Sequence, residues 1–248
     1  MKTTYKLLIN HSLCHVALVY GAFYGSWWMW IAGFAWYYFI TIASSSAGYH
    51  RYYSHGAFKA GKWFEYFTNI LSLFVGSGPY LTRAAIHRQH HAYSDTEKDP
   101  QSPTHYGFWR IYFNLWGLDQ KIERKFFKGL INNKILKFWH DHYFKMVGVL
   151  VLTLFAIDPL LLVFAYALPC VLSSHLFGLF NAYLHKTGEA TNNALINLFT
   201  AGEGYHKAHH DDSKKLRHGP IDPTYFFIKL IRSTCLLYTS EPTRPLHI

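Results

Sequence analysis

Two long stretches of the chain are almost free of charge. From Leu7 to His50 there is no Lys, Arg, Asp or Glu, and from Met146 to His185 the single such residue is Asp158. Each stretch is about twice the roughly 20 residues that a helix needs to cross a bilayer, so each predicts a helical hairpin. The four spans fall at about residues 7–24, 30–47, 143–157 and 160–180. The first hairpin turns near Tyr24-Gly25-Ser26, where Trp27, Trp28 and Trp30 crowd as aromatic residues do at a membrane interface. The second turns at Asp158-Pro159, where proline can open the returning helix.

Between the hairpins, Lys62 to Val75 is apolar with a few polar positions and predicts an amphipathic helix lying in the interface. Gly76-Ser77-Gly78-Pro79 breaks it, a helix carrying His87 to His91 follows, and Ser94 to Pro100 is a polar turn. The run Lys121 to Lys137 is basic and dotted with Phe126, Phe127, Leu130, Ile131 and Ile135. It suits a solvated face, or contact with anionic headgroups or an acidic electron donor.

Composition sharpens this picture. Half of the residues are hydrophobic, 19% are aromatic, and the net charge is +10. All 24 Lys and Arg lie outside the two hairpins, before Leu7, between 51 and 145, or after His185. Hairpins return the chain to its starting side, so these segments share one face, and the positive-inside rule makes it cytoplasmic. Membrane topology accounts for the charge without a nucleic-acid partner, which would call for a basic patch on a soluble fold. Cys14, Cys170 and Cys235 make an odd set, two of them inside proposed spans, and form no disulfide framework. The first apolar stretch is too long for a signal peptide and is expected to stay in the mature protein. The fold class is thus all-α integral membrane: one domain over residues 1–248, four transmembrane helices in two hairpins, and a cytoplasmic cap rich in histidine.

The candidate chemistry lies in that cap. His87, His90 and His91 stand at i, i+3 and i+4, on one face of a helix within one turn, and His206, His209 and His210 repeat the spacing. Such a triplet is a ready-made grip for a metal ion. His50 and His55 form an i, i+5 pair, and Asn181 and His185 an i, i+4 pair. Two HxxHH boxes, an HxxxxH and an NxxxH in one chain point to metal, although imidazole suits iron, copper, zinc and nickel alike. Nine histidines exceed what one ion binds, and four fill a zinc site, so a two-metal centre is the economical reading. On a regular helix His50 and His55 are about 140° apart, so they face different metals or lie where the helix ends. His11 and His15 sit outside any cluster, as do His140, His142, His218 and His247, whose alanine variants are expected to stay active.

Together with Gly202-Glu203-Gly204-Tyr205 before the last box, and Ser94-Asp95-Thr96 and Asp99-Pro100 after the second, the chain resembles the membrane fatty-acid desaturases of the stearoyl-CoA (delta-9) type. The likeness runs from the second span to about Leu230, with the four histidine motifs in the family's order. It implies two iron ions bound by His50, His55, His87, His90, His91, His185, His206, His209 and His210, with Asn181 acting through water. It also implies O2 as co-substrate and a fatty acyl substrate that gains a cis double bond. Glu203, three residues before His206, is then placed to orient an imidazole from behind. No haem or flavin domain is recognisable, so electrons are expected from an external donor, ferredoxin or cytochrome b5.

Acyl-CoA members carry an Arg-Asp pair directly before HxxHH, where this chain has Ala85 and Ile86, which favours acyl-lipid over acyl-CoA substrates. An acyl chain reaching in from the irons would be stopped by bulky residues on a span leading to a ligand. Tyr38 and Phe34, roughly 18 and 24 Å before His50 at about 1.5 Å per residue, are the expected stop. Two other functions use similar motifs: a di-iron hydroxylase or ketolase acting on a lipid, sterol or carotenoid, and a non-catalytic membrane metal-binding protein. The i, i+5 pair and the NxxxH element favour desaturation.

Overall fold

The computed structural model describes residues 3–115 and 121–233, and Cys235 and His247 lie outside them. The chain runs through α1 (Thr3–Tyr24) and α2 (Trp27–Ile40), which continues directly into a π-wound segment, Thr41–Ser54. Then come α3 (Lys62–Val75), α4 (Tyr80–Tyr93), the short α5 (Pro103–Tyr106) and α6 (Phe108–Tyr112), and a 3-10 turn at Arg124–Phe127. The second apolar region holds α7 (Lys134–Ile157), α8 (Pro159–Leu162), a π-wound stretch Val163–Ala167, and α9 (Leu168–Leu184). Finally α10 (Ala194–Phe199), α11 (His206–Asp211) and α12 (Pro223–Ser233) close the chain. Among the described residues there is no strand, only an isolated bridge between Asn192 and Tyr205.

Among the described residues three helices are long and apolar enough to cross a membrane: Thr3–Tyr24, Lys134–Ile157 and the continuous run Pro159–Leu184. The expected span at 30–47 straddles the join between α2 and the π-wound segment. The 14 residues of α2 reach only about 21 Å at 1.5 Å per residue. Both predicted turns are present. Gly25 and Ser26 separate α1 from α2, and at the other turn Asp158 Oδ1 accepts the Leu160 N–H at 2.8 Å ahead of a helix opened by Pro159. Helices α1 and α2 both pack against the Val163–Leu184 run. There Trp36 Nε1 donates to Ala165 O at 3.0 Å, and Trp30 meets Phe164 edge-on at 5.0 Å.

The amphipathic α3 buries polar side chains beside apolar ones, Phe64, Leu71, Leu73 and Val75. Glu65, Thr68, Asn69 and Ser72 are buried, while Trp63, Tyr66 and Ile70 are exposed. The inward polar groups are all used, as buried polar groups must be. Glu65 accepts from Tyr52 Oη at 2.7 Å and from Asn133 Nδ2 at 2.8 Å; Asn69 Nδ2 donates to Tyr53 Oη at 2.8 Å; and Ser44 Oγ donates to Thr68 O at 2.6 Å. These bonds fasten the π-wound segment, and with it His50, to α3.

Helix α6 rests directly on α9 at Gly178, where an added Cβ would overlap the carbonyl oxygen of Tyr112. Both partners in that contact are backbone, so neither can swing away. Gly178→Ala is expected to destabilise the fold by about 1–3 kcal/mol and to lower the melting temperature of detergent-purified protein. An unchanged melting curve would show that α6 yields at no cost.

Candidate metal centre

The π winding decides where His50 and His55 point. A π-helix closes its hydrogen bonds over five residues, so residues five apart lie one turn above each other. His55 N–H donates to His50 O at 3.2 Å, and the two rings stand 4.9 Å apart. Both therefore serve one site, and His55 caps the segment, so of the two expected alternatives the pair takes the one in which the helix ends there. Helix α4 carries His87, His90 and His91, α11 carries His206, His209 and His210, and His185 ends α9. Helix α11 is only six residues long and is held at its start by Asn192 Oδ1, which accepts the Lys207 N–H at 2.9 Å.

All nine histidines converge, in two groups. His50, His55, His87, His91 and His209 form one, and His90, His185, His206 and His210 the other; within each, the ligand nitrogens lie within 4.8 Å of one another. The expectation that each HxxHH box grips one ion is corrected. Each box is split, its outer pair at i and i+4 joining one group and its middle histidine the other. Adjacent residues on an α-helix point about 100° apart, so His90 and His91, like His209 and His210, face different ways. The groups share a wall, where the His91 and His210 rings stack at 4.1 Å.

Within the groups the Nε2 atoms face one another: His50 and His209 at 2.9 Å, His55 and His87 at 2.8 Å, His185 and His206 at 2.7 Å. Behind them stand carboxylates. His90 Nδ1 lies 2.9 Å from each oxygen of Asp99, His185 Nδ1 lies 2.8 Å from Asp95 Oδ2, and His50 Nδ1 lies 2.6 Å from Glu203 Oε2. A carboxylate holding the proton on Nδ1 leaves the Nε2 lone pair aimed into the group. Burial, reinforced by the neighbouring imidazoles, pushes His55, His87, His91, His206 and His209 well below the usual histidine range, and His210 to about 2. These rings are neutral at neutral pH. Buried lone pairs converging on two points, with too few protons between them to satisfy all, are what a metal cation neutralises, so the residues present fit two metal ions.

Glu203 is the hub of a second layer. Besides His50 it meets Arg51 Nη2 at 3.3 Å, His218 Nδ1 at 3.5 Å, and the hydroxyl of Ser46. Burial alone would raise its carboxyl, but His50, Arg51 and His218 outweigh burial and hold it well below the usual carboxylate range. Arg51, 1% exposed, also binds Asp222 Oδ1 at 3.0 Å. Asp99 accepts the backbone N–H of Asp95 at 2.9 Å and of Gln101 at 2.8 Å, which shapes the turn so that both of its aspartates reach back to ligands.

The structure places the remaining candidates as follows. Asn181, half-buried one turn before His185, lines a cavity of about 360 Å³ that His50 and His87 also line. Phe34 and Tyr38 are not in its walls, nor is any other residue of α2; Phe34 is 39% exposed and stacks on Tyr38. His218 lies outside both groups, yet it is buried 4.6 Å from the His209 ring and against Glu203. His11 and His15 lie outside both groups, bound to Gly76 O at 3.1 Å and to His175 at 2.9 Å. Sequence reasoning missed Asp95 and Asp99 as imidazole partners because acids in a polar turn look like turn residues. The available signal was scarcity: the chain has only 14 acids, and three of them lie in the turn directly behind a histidine box.

Comparison with known proteins agrees with this geometry. Residues 25–215 match the family model described as Fatty acid desaturase. An Acyl-CoA C20 Delta5-desaturase from Anemone leveillei is 31% identical over 237 residues, covering 88% of this chain and 75% of its own. The Delta-9 desaturase-like 5 protein of Arabidopsis thaliana is 31% identical over 214 residues (78% and 70%). An sn-1 stearoyl-lipid 9-desaturase from Synechocystis is 28% identical over 203 residues (74% and 63%). A match that spans all nine converging histidines places the chain in the fatty acid desaturase family, and with it among the oxidoreductases.

Proposed function

We propose that the chain is a di-iron, O2-dependent fatty acyl desaturase that introduces a cis double bond, of the delta-9 type, into a lipid-linked or thioester-linked acyl chain. The observation that carries this reading is the division of nine imidazoles into two adjoining groups. Five nitrogens exceed what a tetrahedral zinc takes, and imidazole suits iron. The two groups correspond part for part: two histidines from one HxxHH box, one from the other, and a further pair. That pair is His50 and His55 in the first group; in the second, His185 has Asn181 one turn before it on α9 as the proposed partner, acting through water.

Two irons held there would supply the oxidant, made from O2 and donated electrons, that removes hydrogen from two adjacent methylenes. Overall, one O2 becomes two waters, taking two electrons from the acyl chain and two from an external donor, ferredoxin or cytochrome b5. The protein's own work is to orient and to exclude water. Asp95, Asp99 and Glu203 hold the rings of His185, His90 and His50, and His209 and His206 are 0% and 1% exposed. The carrier is open between two chemistries, since the relatives include proteins named for acyl-CoA and for stearoyl-lipid substrates. Ile86, in the cavity wall, presents an apolar surface where the acyl-CoA type has a charged pair, which supports a lipid carrier. Helix α2 with its π-wound extension serves as the fourth span, and the charge distribution puts the site on the cytoplasmic side.

Lipids of an expressing host should contain acyl chains lighter by two hydrogens; a gain of 16 mass units instead would make the protein a hydroxylase. Purified protein should hold two irons. His90→Ala and His209→Ala, one from each group, should each abolish desaturation, while Asn181→Ala should lower it; full activity in His90→Ala would remove the reading. Asp99→Asn should weaken iron retention against a chelator by about 10–100-fold. His218→Ala should lower activity by way of Glu203, whereas His142→Ala, with its ring on Phe138 O of its own helix at 2.9 Å, should not.

A further inference from the structure

The cavity that opens on the five-imidazole group has, histidines aside, one cationic and one acidic side chain in its walls, Arg83 and Glu203. Glu203 is committed to His50 and Arg51. Arg83 is not committed. Among the described residues its guanidinium has one hydrogen-bond partner, the hydroxyl of Ser77, and no carboxylate at ion-pair distance. Its carbon sits 4.0 Å from the centre of the Tyr49 ring and 5.8 Å from that of Tyr80. A half-buried cation beside a site built for metal ions is repelled by them, and among the described residues only its Nη1 has a protein acceptor. The nearby wall adds hydroxyls from Thr4, Ser45, Thr82 and Ser173, a lining unlike one shaped for a purely aliphatic guest.

We propose that Arg83 is a specificity-determining residue: it holds the carbonyl oxygen of the acyl substrate by a charge-assisted hydrogen bond, and the double bond is therefore placed by counting from the carboxyl end. This rests on the desaturase reading above and adds to it the orientation of the substrate. Charge-assisted bonds are short and strong, and ester and thioester carbonyls offer the same oxygen at the same count. Tyr49 touches both the anchor and a metal-facing ring, 4.0 Å from the Arg83 guanidinium and 5.9 Å from the His87 ring, so those two groups stand no farther apart than the sum of these distances. An extended chain advances roughly 1.2 Å per bond, so the eight bonds from the carbonyl carbon to carbon nine cover about 10 Å. A chain reacting near its methyl end would have to fold back to reach Arg83. Arg83 is also the i−4 neighbour of His87 on α4, so anchor and metal-facing ring share one face of one rigid element.

The test compares Arg83→Met and Arg83→Lys with the wild type in an expressing host. Double-bond positions are read by mass spectrometry, and the iron content of each purified protein is the control. Arg83→Met should make about tenfold less product, with its double bonds scattered over two or more positions. Arg83→Lys, which keeps the cation, should restore a single position. Wild-type yield at a single position in Arg83→Met would overturn the proposal. So would an Arg83→Lys variant as inactive as Arg83→Met at full iron content, since the cation would then not be what matters. A wild-type protein that forms no double bond at all would instead sink the desaturase reading, a separate outcome. Pulse labelling then tells whether the scattered product of Arg83→Met first appears in glycerolipid or in acyl thioester, and so which carbonyl Arg83 holds.

Discussion

The fold depends on gathering nine imidazoles with their ligand nitrogens turned inward. A polar nitrogen removed from water without a partner costs free energy, and here eighteen ring nitrogens must be placed in a small volume. Three carboxylates take the outward nitrogens of His50, His90 and His185, and the inward ones face each other across two points. The carboxylates must in turn be held. Asp99 is held by backbone N–H groups, and Glu203 by a buried Arg51 that also meets Asp222. Loss of one partner from such a buried ion pair costs about 3–5 kcal/mol, because the other charge is left without compensation. The support reaches from residue 46 to residue 222, so the centre and the fold are one construction.

Two departures from ordinary helix chemistry make this possible. The π winding of Thr41–Ser54 turns an i, i+5 pair onto one face, which a regular helix would not do. Helix α3 then supplies the polar groups that such a segment needs from a neighbour, and leaves Trp63, Tyr66 and Ile70 facing outward.

Much of the centre was legible in the sequence, because i, i+3 and i+4 spacings are local and a run of three histidines at that spacing is rare. The nine converging histidines could be named, as could Glu203 beside them. Their division could not. It depends on the 100° between His90 and His91 and on which helix faces them from across the centre, and that is a tertiary fact. The π winding left no trace that hydropathy could show, since Thr41–Ser54 is rich in small and polar residues and belongs to neither a clean span nor a clean amphipathic helix. His218 looked isolated because its partner, Glu203, is fifteen positions away in the chain. The spans were legible as apolar length, but α2 passes into its π-wound extension before a full crossing is complete, so counting by length alone finds three.

The splitting of the two HxxHH boxes also fixes an order of events during synthesis. Each group draws on α4 and on α11, which are more than a hundred residues apart in the chain. A nascent chain that has emerged only as far as α9 offers four of the five nitrogens of one group and two of the four of the other. Neither set is closed until α11 docks. Completion of both groups thus waits for α11, after both apolar regions have been made, and a chain that stops before residue 206 completes neither.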